Sequence, residues 1–295
     1  MMRKVCVVTL GCKVNQYEGN QIAHKYQSSG AEVVQKFCDD ADLYIVNACV
    51  VTAHAEKKSR NFISRARRTV EKRVAAGFGG NLIACGCGND RALNEECSKF
   101  YALQPRKRAF IKVQDGCDNF CSYCIVPYLR GQSRSREIPD IIAEIKASGK
   151  PVILTGIDLS SFPNLDELCK QVNALGLPFE LSSVEVRIIT REFLKVLSDC
   201  KNFISKFHVP LQSGSDKILN DMNRKYTSGQ YRAAIELVRE YFPNAIISTD
   251  VIVGFPTETT EDLTQTEKLV AEIGFTKVHR FPYSDRSELQ KIHLC

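Results

Sequence analysis

This 295-residue sequence lacks two features that would define its class at once: a long apolar run, and a second Cys-x-x-Cys pair to match the single one at 121–124. A membrane-spanning helix needs roughly 18 consecutive apolar residues. No stretch approaches that length, and the first four residues lead directly into a strand-like segment. We therefore expect no membrane insertion and a cytoplasmic location. The missing second pair disfavours a zinc site built from paired hairpins.

Cysteine itself is abundant, with 13 residues in the chain. The count is odd, and the chain is far longer than a secreted disulfide scaffold, so these thiols are predicted to be metal ligands or buried apolar groups. A hydrophobic fraction of 44% with 25% charged residues is typical of a globular protein. The net charge of +6 permits a nucleic-acid partner without requiring one.

The most informative stretch contains Cys117, Cys121 and Cys124, at gaps of four and three residues. Three thiolates at this spacing can bind three irons of a cubic four-iron, four-sulfur cluster, since cysteine is the usual ligand of such clusters. The fourth iron then has no local cysteine. It can chelate the amino and carboxylate groups of S-adenosylmethionine and deliver an electron to its sulfonium. A zinc site is the alternative, but structural zinc usually takes four protein ligands.

The first hundred residues predict a doubly wound parallel sheet. Strand-like segments at 5–10, 31–37, 43–47 and 81–84 alternate with helical stretches. Sheets of this kind place ligand sites beyond the carboxyl ends of their strands. Cys12, Cys49 and Cys87 each follow such an end. One of them alone would be interpreted as a small buried hydrophobe, but three in the same position favour a shared site. Cys85 stays open as an alternative ligand to Cys87.

Residues 52–73 form a strongly basic segment, with eight lysines and arginines against two glutamates. A helix of this composition is most often a solvated face. The alternative is a stripe that contacts RNA phosphates.

The remainder of the chain alternates regularly between strand and helix patterns. Strands are predicted at 109–113, 152–155, 179–182, 207–209, 246–253 and 277–281. Six such units predict a partial (β/α) barrel with its site at the carboxyl ends of the strands. The cysteine loop follows the first strand and is expected at the barrel mouth. A boundary after residue 105 gives an amino-terminal domain, 1–105, and a barrel domain, 106–295.

Several motifs together resemble one family, the radical S-adenosylmethionine methylthiotransferases, which insert a methylthio group into a carbon–hydrogen bond of tRNA or of a ribosomal protein. The matching stretches are 9–18, 46–52 and 86–87 for the amino-terminal domain, 115–131 for the radical loop, and 154–158, 181–185, 208–216 and 250–258 for the barrel. Within the family, residues 13–16 resemble the branch that modifies N-threonylcarbamoyladenosine beside the tRNA anticodon.

The resemblance implies a mechanism and a set of cofactors. It assigns one four-iron cluster to the catalytic Cys117, Cys121 and Cys124. There S-adenosylmethionine is reduced, and a deoxyadenosyl radical removes hydrogen from C2 of the adenine. A second four-iron cluster would be held by Cys12, Cys49 and Cys87 and would hold or donate the sulfur, while a second S-adenosylmethionine supplies the methyl group.

The same resemblance suggests partners and further site residues. The partners are the tRNA anticodon stem-loop and an electron donor such as flavodoxin or ferredoxin, with the sulfur donor left open. The carboxy-terminal RNA-binding barrel usual in the family is expected to be absent. The cofactor-binding candidates are Tyr123 beside the adenine, Glu185 and Gln212 for the ribose or the methionine end, and Thr155, Gly156 and Gly254 at strand ends. Weaker candidates are His208 and the arginines at 130, 134 and 136.

Three alternatives stay open at this point. The first is a methylthiotransferase whose substrate is isopentenyladenosine in tRNA or a ribosomal protein. The second is another radical enzyme with an auxiliary cluster. The third is a truncated, non-catalytic RNA-binding remnant.

Overall fold

The computed structural model describes residues 4–102 and 106–288. The chain divides into two compact units, Met1–Phe110 and Ile111–Cys295. Cys295 lies outside the described residues.

The first unit is built on a four-stranded parallel sheet in the order β2-β1-β3-β4. Its strands are β1 (Lys4–Thr9), β2 (Glu32–Val34), β3 (Leu43–Ala48) and β4 (Asn81–Gly86), and its helices are α1 (Lys13–Ser28), α2 (Ala53–Ala75) and α3 (Ala92–Glu96).

Apolar residues of β1 cover both faces of this sheet. Cys6 and Val8 pack with residues of α2 on one face. Val5 and Val7 pack with Ile22 of α1 and with residues next to α3 on the other. Successive side chains of a strand point to opposite faces, so a strand with apolar residues on both faces needs helices on both sides. The predicted doubly wound parallel sheet is thereby confirmed.

The second unit contains eight strands and seven helices among its described residues, with its first strand beginning just before the unit boundary. The strands are β5 (Ala109–Lys112), β6 (Gln114–Asp115), β7 (Arg134–Ser135), β8 (Val152–Thr155), β9 (Phe179–Leu181), β10 (Lys206–His208), β11 (Ile246–Val253) and β12 (Lys277–Pro282). The helices are α4 (Val126–Arg130), α5 (Ile138–Ser148), α6 (Leu165–Ala174), α7 (Arg191–Asp199), α8 (Asp216–Asp221), α9 (Ser228–Tyr241) and α10 (Thr260–Ile273).

Six of these strands lie side by side in the order in which they occur in the chain. Two three-stranded sheets, β5-β8-β9 and β10-β11-β12, are linked by parallel bridges between Phe179 and Phe203 and between Ser183 and His208. Each strand is followed by helix before the next one begins. The predicted partial (β/α)6 barrel is therefore confirmed, and β6 and β7 form a separate antiparallel pair beside it.

The sequence predicts two helix caps, Thr190 before Arg191 and Thr260 before Glu261, because threonine is favoured at a helix N-cap. Thr190 accepts a hydrogen bond from the Phe193 amide at the start of α7, as expected. At α10 the predicted cap, Thr260, is wrong by one residue. Thr259 is the cap, and it forms a reciprocal capping box with Asp262. The described part of the chain has no helix that is both long and apolar enough to cross a membrane.

Candidate functional site

The cysteine loop of the second unit is held by main-chain hydrogen bonds. The amide of Cys117 donates to the carbonyl of Gly131 at 3.1 Å, and that of Cys124 donates to Cys121 at 2.9 Å. Gly116 opens the loop with a φ of +73°, and a Cβ there would lie 1.9 Å from the Gln132 carbonyl oxygen. Only glycine fits this turn, because any side chain would strain the backbone and collide with it.

A buried amide, Gln114, joins this loop to the end of the neighbouring strand. Its Nε2 donates to the carbonyls of Asp115 and Gly116 at 3.0 and 2.8 Å. Its Oε1 accepts from the Asp158 amide at 2.8 Å. A Cβ at Gly156 would lie 2.9 Å from that same oxygen. Gly156 therefore makes room for Gln114, a reason that the sequence did not suggest.

Arg224 is the side chain that converges most closely on the cysteines. Its guanidinium lies between Cys121 and Glu185. Nη1 donates to Cys121 Sγ at 3.4 Å and to the Tyr123 hydroxyl at 3.5 Å, while Nη2 forms an ion pair with Glu185. Only 5% of the Arg224 side chain is exposed. Burial raises the pKa of the Glu185 carboxyl, and Arg224 offsets part of that rise.

The thiols of the loop need a cationic partner to ionise. Burial raises the pKa of Cys124 to about 12 and also raises that of Cys117. A thiolate at these positions therefore needs a positive partner such as iron. Among residues 4–102 and 106–288, no three cysteine, histidine or carboxylate side chains are grouped as ligands of one metal ion. In a cubic cluster, by contrast, each thiolate binds a different iron.

A cavity of about 210 Å³ lies beside Cys121, and Arg224 and Glu185 line it. Asn119, Arg187 and Lys225 contribute polar groups to the same wall. Asn119 belongs to the cysteine loop, Arg187 follows β9, and Lys225 follows α8. The carboxyl ends of neighbouring strands and the cysteine loop therefore meet at one site, as a (β/α) barrel requires.

Arg187 is held in this wall by a buried carboxylate. Asp158 Oδ2 accepts from Arg187 Nη2 at 2.5 Å and from Asn119 Nδ2 at 2.9 Å, and Arg187 Nη1 donates to Asn119 Oδ1 at 2.9 Å. The Asp158 side chain is only 5% exposed. Its other oxygen, Oδ1, is buried without a hydrogen-bond partner among the described residues.

The other predicted cofactor residues lie around the site in different settings. Thr155 is buried, and its carbonyl accepts from the Val113 amide. Gln212 and Gly254 have φ angles of +66° and +74°. The Tyr123 ring packs against Ile218 and other core residues. These four residues and Gly156 are not part of the cavity wall described above, so their cofactor roles stay predictions.

All four of the weaker candidates have structural partners. His208 contacts Ser248 Oγ at 2.9 Å and Asp250 Oδ2 at 3.0 Å, which fixes both ring nitrogens. Arg130 is almost completely buried and pairs with Asp115 at 2.9 Å. This burial gives no support to a contact between Arg130 and a tRNA phosphate, and a contact with the cofactor carboxylate stays a prediction. Arg134 pairs with the same aspartate, and Arg136 pairs with Glu144.

In the first unit, Cys12, Cys49 and Cys87 lie at the carboxyl ends of β1, β3 and β4, which are neighbours in the sheet. A Cβ on Gly11 would lie 2.8 Å from Cys49 Sγ, so the end of β1 is directly against that thiol. Cys12 is exposed, whereas Cys49 and Cys87 are buried.

Asn15 connects these three strand ends. Its Nδ2 donates to the carbonyls of Leu10 and Ala48 at 2.9 and 2.7 Å, and its Oδ1 accepts from Cys87 Sγ at 3.7 Å. Asn15 therefore joins Cys87 to the strand ends that lie just before Cys12 and Cys49. Soft thiolates on one sheet edge suit an iron–sulfur cluster.

Cys85 has a different environment from Cys87. It is completely buried in the apolar cluster that includes Ile22 and Cys97. Burial raises the pKa of its thiol to about 12. The alternative that Cys85 replaces Cys87 finds no support in this packing.

Sequence reasoning missed the polar residues that organise both sites: Asn15 and Asn47 in the first unit, and Gln114, Asn119, Arg187 and Arg224 in the second. Their partners are up to 104 positions away in the chain, as for Asn119 and Asn223, and 103 positions for Arg224 and Cys121. The one local signal was their position, because each lies in or beside a cysteine motif or just after a predicted strand or helix.

Models of known families match both units. The Radical SAM superfamily matches residues 111–270, and Uncharacterized protein family UPF0004 matches residues 4–103. The first match includes the cysteine loop and most of the partial barrel. The second unit therefore has the architecture and cysteine loop of a radical S-adenosylmethionine enzyme.

Similar curated proteins narrow the class. Threonylcarbamoyladenosine tRNA methylthiotransferase MtaB of Chlamydia pneumoniae is 33% identical over 320 residues, covering 95% of this chain and 74% of the relative. The protein of the same name from Aquifex aeolicus is 33% identical over 341 residues, covering 96% of this chain and 81% of the relative. A tRNA-2-methylthio-N(6)-dimethylallyladenosine synthase of Dehalococcoides mccartyi is 30% identical, covering 95% of this chain and 74% of the relative. The chain belongs to the radical S-adenosylmethionine methylthiotransferase family.

Family membership implies a four-iron, four-sulfur cluster and S-adenosylmethionine as cofactors. Solved structures agree on the fold. The methyltransferase TsrM of Kitasatospora setae superposes with a TM-score of 0.64 at 13% identity, covering 96% of this chain and 75% of that one. The radical enzyme OxsB superposes with a TM-score of 0.64 at 11% identity, covering 91% of this chain and 52% of that one.

Proposed function

We propose that this enzyme transfers a methylthio group to C2 of N-threonylcarbamoyladenosine next to the tRNA anticodon, using two iron–sulfur clusters. The first support is the name that the Chlamydia and Aquifex relatives share, each at 33% identity. The second is the position of Cys12, Cys49 and Cys87 at the ends of neighbouring strands that Asn15 joins, since a methylthio transfer needs a sulfur source that the first cluster alone does not provide.

Each group of residues has a role in this proposal. Cys117, Cys121 and Cys124 hold the cluster that, when bound, reduces S-adenosylmethionine and so enables hydrogen removal from the substrate carbon. Arg224 donates to Cys121 and orients Glu185 toward the cavity. Hydrogen bonds to a cluster sulfur are one means by which a protein adjusts the cluster's potential. Gln114 and Gly116 fix the loop that carries the three thiols.

The decisive experiment is mass spectrometry of tRNA nucleosides from cells with and without the gene. Loss of the 2-methylthio form of threonylcarbamoyladenosine, with its unmethylthiolated precursor accumulating, is the expected result. Loss of the 2-methylthio form of isopentenyladenosine instead would favour the alternative substrate, for which the Dehalococcoides relative is named. An unchanged nucleoside profile would contradict the tRNA assignment.

The metal content gives a separate prediction. Anaerobically reconstituted protein should hold two four-iron clusters. A variant with Cys12, Cys49 and Cys87 all changed to alanine should lose half of the iron and still cleave S-adenosylmethionine, because the other three cysteines lie in a different unit. Iron content equal to that of the parent would refute the second cluster. Deoxyadenosine formation by the parent also separates an enzyme from a non-catalytic RNA-binding remnant.

The proposed partners follow from this chemistry. The anticodon stem-loop is the substrate, a low-potential donor such as flavodoxin or ferredoxin supplies electrons, and the reaction takes place in the cytoplasm, where tRNA is found.

A further inference from the structure

The cavity beside Cys121 is small, and most of its lining residues carry a charged or amide group. Its volume of about 210 Å³ is below the roughly 300–1,000 Å³ of sites that enclose a drug-sized ligand. It therefore suits one small group of a substrate rather than a whole nucleoside. Asn119, Asn223 and Gln230 contribute amide groups to the wall, and Val186 and the Tyr226 ring contribute apolar surface.

The cavity also has an excess of positive charge. Two of its cations are already paired, Arg224 with Glu185 and Arg187 with Asp158. Lys225 is exposed and donates to Asn223 Oδ1 at 2.5 Å, and it forms no ion pair within the described part of the chain. The wall therefore carries one uncompensated positive charge next to a guanidinium that is fixed in place.

Arg187 is well suited to receive an anion. Two of its N–H groups are used by Asp158 and Asn119, and 44% of its side chain is exposed. A guanidinium has five N–H donors in a planar fork, so the remaining donors can bind a carboxylate. Asp158 and Asn119 fix the direction of the fork, which reduces the entropy lost when the anion binds.

From these contacts we propose that Arg187 and Lys225 form a carboxylate-binding subsite, which recognises the substrate by an amino-acid carboxylate on its modified base. This inference rests on the proposed function, because the threonyl group of N-threonylcarbamoyladenosine carries such a carboxylate and an isopentenyl group does not. The methionine end of S-adenosylmethionine also carries an amino-acid carboxylate. The subsite is assigned to the substrate because both cations are at the exposed part of the wall, whereas Arg224 is the buried cation at Cys121.

The test uses reconstituted enzyme and two matched anticodon stem-loops. One carries threonylcarbamoyladenosine with its free carboxylate, and the other carries the methyl ester of the same group. Equilibrium binding is measured by fluorescence anisotropy. The parent should prefer the free carboxylate by roughly tenfold, the size expected for one charge-assisted hydrogen bond. Arg187→Gln and Lys225→Gln should each reduce this preference toward one, mainly by weakening binding of the free acid.

Lys201→Gln is the control, because Lys201 is an exposed lysine of the same unit outside the cavity wall. It should keep the parent's preference. Lys225→Gln removes no buried partner, so it keeps the test informative if loss of Arg187 perturbs folding around Asp158.

The remaining outcomes separate the hypotheses. Equal binding of acid and ester by the parent, or an unchanged preference in both variants, overturns the subsite. A loss of S-adenosylmethionine affinity in the variants, with the stem-loop preference intact, assigns the cations to the cofactor and also overturns it. Failure of the proposed function looks different, because the parent would then modify an isopentenyladenosine stem-loop and leave the threonylcarbamoyladenosine one unchanged.

Discussion

At the scale of single residues, the cysteine loop gives the sharpest prediction. Cys121→Ala should abolish deoxyadenosine formation, because it removes one of three thiolates and leaves the Arg224 donor without its acceptor. Iron held by the first unit should remain. Cys200→Ala is the control, since that buried thiol contacts only the Cys169 carbonyl among the hydrogen bonds of the described residues. Deoxyadenosine release by the Cys121 variant at the parent's rate would reject the assignment of the loop.

A glycine beside the other cysteine group tests the packing of the strand ends. Gly86 has a φ of +89°, and a Cβ there would lie 2.4 Å from Asn47 Oδ1 and 2.7 Å from the Ala48 carbonyl oxygen. Gly86→Ala should therefore destabilise the first unit by roughly 2 kcal/mol or more, from the left-handed backbone and the collision together. Thermal unfolding followed by circular dichroism measures the loss.

Gly79→Ala is the matched control for that experiment. Gly79 has no positive φ, and a Cβ there would meet nothing within 4 Å. The melting temperature of the Gly79→Ala variant should equal that of the parent or be slightly higher, because alanine reduces the entropy of the unfolded chain. Equal losses in both variants would show that Gly86 is not constrained by its neighbours.

The residue scale is also where sequence reasoning stopped. The six cysteines could be selected because their spacing and their position after strands are local features. Arg224 could not be selected, because its place in the site depends on contacts with Cys121, 103 positions away, and with Glu185, 39 positions away. Such contacts are determined by the folded barrel and not by the local pattern.

At the scale of elements, the start of α10 depends on a carboxylate. Asp262 accepts hydrogen bonds from Ser215, from Thr259 and from Lys217, and these lower the pKa of its carboxyl. A depressed pKa in the folded state means that Asp262 contributes stability above its unfolded pKa of about 3.9 and loses that contribution as the pH falls further.

Asp262→Asn should therefore be less stable than the parent at pH 7, and the difference should shrink as the pH falls below about 4. Urea unfolding at a series of pH values measures this. Glu261→Gln, an exposed neighbour in the same helical turn, is the control. A difference between Asp262→Asn and the parent that stays constant down to pH 2 would contradict the role given to the carboxylate.

Strands and helices could be predicted well where side-chain periodicity was strong, and less well at their ends. The shift of the α10 cap from Thr260 to Thr259 illustrates the limit. Both residues are threonines with acidic residues nearby. Asp262 lies three positions after Thr259 and completes a capping box, whereas Leu263 lies three positions after Thr260, so the spacing favours Thr259. The hydrogen bond from the Ser215 hydroxyl to Asp262 at 2.6 Å comes from a distant part of the chain and is outside any local pattern.

At the scale of the whole molecule, the basic helix α2 has an exposed face that tests RNA binding. Lys57, Arg68 and Lys72 lie on one side of the helix by their spacing, are exposed, and form no ion pair among the residues described. Arg65 is a poorer choice, because it stacks at 3.9 Å on the Phe37 ring and pairs with Asp39.

Changing Lys57, Arg68 and Lys72 to glutamine should weaken binding of an anticodon stem-loop and flatten its salt dependence. The slope should fall by roughly 0.7 to 0.9 for each phosphate that is no longer neutralised by a side chain. The control changes the exposed Lys146, Lys201 and Lys268 of the second unit, with the same loss of charge. If both triple variants bind RNA alike at every salt concentration, α2 is a solvated face and only net charge matters.

The order of the strands has a consequence for how the protein is made. In the first unit, β2 and β3 pair with β1, and β4 pairs with β3. In the second unit, β8 to β12 each lie beside the barrel strand that precedes them in the chain. Every one of these strands therefore finds its neighbour among residues that have already left the ribosome, so the sheets can grow one strand at a time during translation, exposing a single new edge at each step.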